Sequence, residues 1–137
     1  MTQGRILVVE DDDAIRSLLI ETLKECVHVV VDGARDGVDA LHHASTNRYD
    51  LVVLDLMMPY MTGIDFLVSL ETMTSDPSIR GMDQLPAVIV ITGAPVDQIP
   101  DLVLEGRFPS MVRRVLRKPV DVRELEACVT AALGVQP

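Results

Sequence analysis

The stretch DLVVLDLMMP (residues 50–59) decides how the rest of the chain is read. Residues 51–54 are an unbroken apolar run, the kind that fills the middle of a parallel sheet buried on both faces. The run ends on a carboxylate, Asp55. It turns apolar again through Leu56, Met57 and Met58 and is closed by Pro59. A carboxylate is costly to bury without a partner, so Asp55 belongs at the end of a buried strand, on the lip of a cleft.

Working outward, runs of the same kind recur along the chain: RILVV (5–9), VHVVV (27–31), AVIVI (87–91) and the weaker MVRRVL (111–116). Helical spacing follows each of them. Ile15, Leu18, Leu19, Thr22, Leu23 and Cys26 form one stripe. Val38, Leu41 and Ser45 mark a second helix, and Ile64, Leu67 and Val68 a third. A fourth, over 96–105, is broken up by Pro95 and Pro100. Val122, Leu125, Val129, Ala132 and Leu133 form the last. Five strands alternating with five helices predict an α/β chain with a doubly wound, five-stranded parallel sheet. Residues 72–86, rich in Pro, Gly, Ser and Asp, read as a surface loop. No domain boundary is visible, so residues 1–137 read as a single domain.

Composition narrows the function. Of the 137 residues, 48% are apolar, yet no run reaches the roughly 18 needed for a membrane span. The N-terminus enters a strand directly, without the segments of a secretion signal, and the expectation is a cytoplasmic protein. The net charge of −9 argues against nucleic acid or a membrane as partner. Cys26 and Cys128 sit on separate helices without metal-ligand spacing and read as small buried apolar residues.

Open parallel sheets bind ligands beyond the carboxyl ends of their strands, so the residues at those ends matter most. The first strand ends in Glu10 and Asp11, the third in Asp55, the fourth in Thr92 and the fifth in Lys118. The second ends in Asp32-Gly33, read as an ordinary turn pair. In EDDD (10–13) the strand pattern stops at Val9. Glu10 and Asp11, rather than Asp11 and Asp12, therefore stand on the rim, and Asp12 or Asp13 caps the helix. Two carboxylates about 5 Å apart repel by roughly 3 kcal/mol at an effective dielectric near 20. Three together call for a proton or a divalent cation, and an all-oxygen set suits Mg²⁺.

ILVVED (6–11), DLVVLDLMMPYMTGIDFL (50–67), VIVITG (88–93) and RKP (117–119), in this order, resemble the receiver domains of two-component response regulators. The resemblance implies a flavodoxin-like sheet of order 2-1-3-4-5 and a single receiver domain over 1–137. It implies that Asp55 accepts a phosphoryl group from a phosphohistidine. It also implies a Mg²⁺ site in which Asp55 and Asp11 bind directly, Glu10 binds through water and the Met57 carbonyl completes the set. Thr92 and Lys118 would each hold a phosphoryl oxygen, Gly93 would leave room for the phosphorus, Pro59 and Gly63 would shape the loop after the third strand, and Lys118-Pro119 would be cis. Lys118 is one of only two lysines, against ten arginines, and a compact ammonium suits a single phosphoryl group.

The implied partners are a sensor histidine kinase or histidine phosphotransfer protein and a downstream protein, with the chain a monomer or weak homodimer and not a turnover enzyme. Met57 and Ala94 offer no group to orient an attacking water, so the acyl phosphate is expected to persist.

Two features depart from the family. Val115 stands where receivers usually carry an aromatic residue, and EGRFPSM (105–111) replaces a Gly-Ala-Asp stretch. They keep open a rival reading, a receiver-like protein-binding module that works without phosphorylation. A second rival, a phosphatase of the haloacid dehalogenase kind, requires an Asp where Met57 stands. His42 and His43 read as solvated helix surface without partners, and Arg113, Arg114 and Arg117 as a solvated strand edge. Met57, Met58 and Met61 fit a docking surface or loop packing equally well.

Overall fold

The computed structural model describes residues 4–58, 61–75, 85–93 and 106–134. Five strands form one parallel sheet in the order β2-β1-β3-β4-β5: β1 (Arg5–Val9), β2 (Val30–Ala34), β3 (Leu51–Asp55), β4 (Ala87–Thr92) and β5 (Val112–Arg117). Among the described residues, the helices with both ends placed are α1 (Asp13–Cys26), α2 (Gly37–Thr46), α3 (Gly63–Ser75) and α4 (Val122–Leu133). The expected helix over 96–105 lies outside the described residues.

The period of two in the strands divides the core. Leu7, Val9, Val52, Leu54, Val88 and Val90 point to one face, where they meet Ala40, Phe66, Leu67 and Leu70 of α2 and α3. Ile6, Val8, Leu51, Val53, Ile89 and Ile91 point to the other, against Leu23 of α1 and Leu125 and Val129 of α4. β3 is buried along its whole length, as the run at 51–54 requires.

Asp side chains set three helix starts, each accepting from an amide one turn in. Asp12 accepts from Ile15, Asp36 from Asp39, and Asp121 from Arg123 and Glu124. Capping by Asp12 leaves β1 to end with Glu10 and Asp11 ahead of the helix. Gly134 ends α4 at φ 69°, a left-handed position that favours glycine.

Several sequence expectations need correction. The second strand is Val30–Ala34 rather than 27–31, because α1 continues to Cys26 and Val27 is its C-cap. Asp32 and Gly33 therefore lie inside a strand paired with Leu7 and Val8 and form no turn. Asp32 accepts from the Tyr49 hydroxyl (2.7 Å) and from Arg5 (3.3 Å), and Arg5 also reaches Asn47. Burial, then the bond to Asp32, pushes the Tyr49 phenol above its ordinary range. Residues 72–75, expected in a loop, are the last turn of α3.

The stripe of α4 is as expected at Leu125, Val129, Ala132 and Leu133, whereas those of α2 and α3, and in part α1, are rotated. α2 buries Gly37, Ala40 and Ala44, while Val38 is exposed; a Cβ at Gly37 would meet Met61 Cγ at 2.7 Å. α3 buries Gly63, Phe66, Leu67 and Leu70, leaving Ile64 and Val68 at the surface. α1 buries Leu23 fully, and Leu18 is 60% exposed.

Cys128 is buried but Cys26 only partly so, and burial pushes the Cys26 thiol up. His43 is not partnerless, since its Nε2 lies 3.7 Å from Asp39. Arg114 pairs with Glu124 at 3.2 Å. Met58 is buried and Met61 packs against the core, whereas Met57 is exposed.

Candidate phosphoacceptor and cation site

The strand ends meet on one rim. Glu10 follows β1, where its N–H donates to Ala34 of β2 at 3.0 Å. Asp55 ends β3 opposite Ile91 of β4, with Thr92 one residue further. The Lys118 N–H donates to the Thr92 carbonyl at 2.9 Å, tying the start of the β5–α4 connection to the end of β4. The Lys118-Pro119 peptide is cis.

One carboxylate oxygen from each of Glu10, Asp11 and Asp55 lies within 4.8 Å of the other two. Glu10 and Asp55 are 2% and 3% exposed, and Asp11 is open to solvent. The Lys118 ammonium donates to Asp55 Oδ2 at 3.2 Å and to Glu10 Oε1 at 3.3 Å. The other Asp55 oxygen accepts from the Met57 N–H at 3.0 Å. Thr92 is fully buried. The structure thus brings Glu10, Asp11, Asp55 and Lys118 together, sets Met57 against Asp55 by its amide, and puts Thr92 on the adjoining strand end. Among the described residues, a Cβ at Gly93 would meet Lys118 Cδ alone, at 3.8 Å.

The electrostatics follow from crowding. Burial, then hydrogen bonds with Asp55 and Asp11, pushes the Glu10 carboxyl up to about 7, against an opposing pull from Lys118. Burial acts to lower the pKa of Lys118, but Asp55 and Glu10 outweigh it and leave the ammonium above its ordinary value. A raised carboxyl favours the folded state while it is protonated. The Glu10 contribution is therefore fully present below 4.5 and is lost as pH rises through about 7. At about 1.4 kcal/mol per pKa unit it amounts to roughly 3 kcal/mol at most. In chelator-containing buffer the urea midpoint is expected to fall between pH 5 and 8, and Glu10→Gln is expected to flatten that fall. Equal slopes for the two proteins would contradict the assignment.

Arg16 was not among the sequence candidates. Its Nη1 donates to the Glu10 carbonyl at 2.9 Å and its Nη2 reaches Asp13. Its only signal in the sequence was a basic residue one turn into a helix that follows an acidic loop.

The family profile described as "Response regulator receiver domain" matches residues 6–130. Response regulator ArlR of Staphylococcus aureus is 33% identical over 138 residues, covering 100% of this chain and 55% of that protein. The uncharacterized transcriptional regulatory protein YkoG of Bacillus subtilis is 33% identical over 134 residues, 97% of this chain and 52% of that protein. The chain thus spans about half the length of these curated relatives. Among solved structures, a CheY-like receiver domain from Methylobacillus flagellatus superposes with a TM-score of 0.74 at 25% identity, covering 96% of this chain and 99% of that one. Vibrio cholerae CheY4 shares the fold, with a TM-score of 0.76 at 24% identity over 96% and 99% of the two chains. Among the described residues, no helix is long and apolar enough to cross a membrane. An acidic rim at the open end of a 2-1-3-4-5 sheet agrees with these matches, and the chain belongs to the receiver-domain family of two-component response regulators.

Proposed function

We propose that residues 1–137 form a single receiver domain in which Asp55 accepts a phosphoryl group from a phosphohistidine and thereby switches a protein-interaction surface. The observation that carries this reading is the close set of three carboxylates, two of which, Glu10 and Asp55, share one ammonium. The donor set fits Mg²⁺, because hard oxygens dominate it and mutual repulsion leaves it short of positive charge. Asp11 and Asp55 would hold the ion directly, Glu10 through water, with the Met57 carbonyl as a further ligand. When bound, Mg²⁺ supplies positive charge to the carboxylates and to the phosphoryl oxygens.

The residues of the chain do the rest. An Asp55 oxygen attacks phosphorus, the P–N bond breaks, and its electron pair leaves with the donor imidazole, which takes up a proton. The Lys118 ammonium exchanges its carboxylate contacts for a phosphoryl oxygen, and the Thr92 hydroxyl donates to another. The acyl phosphate is about −2 in charge, which biases Thr92 and the loop after it between two arrangements. The donor is a sensor histidine kinase or a histidine phosphotransfer protein, the recipient of the signal a downstream protein. The site works in a cytoplasmic protein, as a monomer or weak homodimer. Slow loss of the phosphoryl group follows from Met57 beside the acceptor; Ala94, the other flanking position, lies outside the described residues.

Incubation with acetyl phosphate and Mg²⁺ followed by intact-mass analysis tests the reading. Wild type is expected to gain the mass of one phosphoryl group, and Asp55→Asn to gain none. Unmodified wild type would overturn it. Val115, a buried aliphatic residue on β5, favours a second reading: a binding module indifferent to phosphorylation. Full partner binding and signalling by Asp55→Asn would establish that reading instead.

A further inference from the structure

We propose that Arg16 is a positioning residue for the cation site, bracing the backbone of Glu10 so that the Glu10 and Asp11 carboxylates stay within reach of Asp55; this rests on the Mg²⁺ reading above. The connection from β1 to α1 is only Glu10, Asp11 and Asp12. Three consecutive carboxylates there repel each other and favour a splayed loop. Arg16, in the first turn and a half of α1, bonds through its own N–H to the Asp12 carbonyl at 2.9 Å. Its guanidinium then turns back across the loop to the Glu10 carbonyl at 2.9 Å and to the Asp13 carboxylate. The Glu10 N–H is fixed from the other side by Ala34 of β2. Both backbone groups of the buried carboxylate residue are thus held, one by the sheet and one by Arg16.

The path of the Arg16 stem depends on Gly33. A Cβ there would stand 3.2 Å from Arg16 Cδ, 3.5 Å from its Cγ and 2.8 Å from Ile20 Cδ1. The bare strand position is the bed on which the stem lies, and it keeps the guanidinium side chain mostly covered, at 20% exposure. Partners that orient metal ligands change metal affinity by about 10–100-fold when removed.

The sign of the effect separates this role from plain electrostatics. A cation near a cation site repels Mg²⁺, so if Arg16 were only a charge its removal would tighten binding. As a brace, its removal weakens binding. Calorimetric titration with Mg²⁺ alone, on variants whose circular dichroism and melting match a folded protein, reads this directly. Arg16→Met keeps the stem and removes the guanidinium, and is expected to weaken Mg²⁺ about tenfold. Arg16→Gln carries the same comparison should the methionine variant not fold. Gly33→Val keeps every charge but displaces the stem, and is also expected to weaken binding. Affinity equal to or above wild type in a folded Arg16 variant, or in Gly33→Val, overturns the brace while leaving the site intact. A wild type that takes up no Mg²⁺ overturns the site itself.

Discussion

Lys118→Met is expected to slow phosphorylation by acetyl phosphate about 10²–10³-fold, the usual effect of deleting one group aimed at developing charge. The ammonium lies 3.2 Å from Asp55 and 3.3 Å from Glu10, and under the proposed chemistry phosphoryl oxygens would arrive beside it. Methionine preserves the stem, which separates loss of charge from loss of packing. A second effect concerns folding without cations. Removing the ammonium leaves two nearly buried carboxylates uncompensated. With Lys118 about one-third exposed, the cost is about 1–2 kcal/mol at pH 8, well under that of a fully buried pair. The deficit shrinks at pH 5, because Glu10 takes up a proton below about 7. Rates from intact-mass time courses and urea midpoints at the two pH values check both parts. A variant that accepts phosphate within threefold of wild type would remove Lys118 from the chemistry.

Gly63→Val is expected to cost about 3 kcal/mol, near the upper end for overpacking. A Cβ at this position would lie 2.8 Å from Leu56 Cα and 3.0 Å from the Asp55 carbonyl oxygen. These are backbone atoms of Asp55 and its neighbour, and they cannot swing aside as a side chain can. The Gly63 N–H also donates to the Leu56 carbonyl at 3.1 Å, which fixes the start of α3 beneath Asp55. Gly93→Ala is the control, since among the described residues its added carbon meets Lys118 Cδ alone, at an ordinary 3.8 Å. Urea denaturation of the two variants should give a large loss for the first and a small one for the second. The reverse order would refute the close approach.

The strands and the rim could be read from the sequence because each rests on a local signal. An apolar run of four or five residues ending in a polar side chain marks a parallel strand and its ligand-facing end together. Glu10, Asp55 and Thr92 each stand at such an end, and Lys118 follows the weaker, arginine-interrupted β5. What escaped depends on contacts between elements. β2 was placed three residues early because Val27 looks like strand but caps α1. Asp32-Gly33 looked like a turn because its meaning lies in Tyr49, Arg5 and the Arg16 stem, all distant in sequence. The α2 stripe is rotated because Gly37, Ala40 and Ala44 are its buried residues, and counting only large apolar residues cannot reveal that.

The sheet that carries this site is also a partition. Among the described residues, the buried apolar side chains above and below it fall into two separate clusters. Truncations on opposite sides, such as Leu23→Ala and Phe66→Ala, should therefore combine additively, as independent sites do. One half of the interior can then drift or be redesigned while the other keeps its shape, and the strand ends that both halves support stay in register.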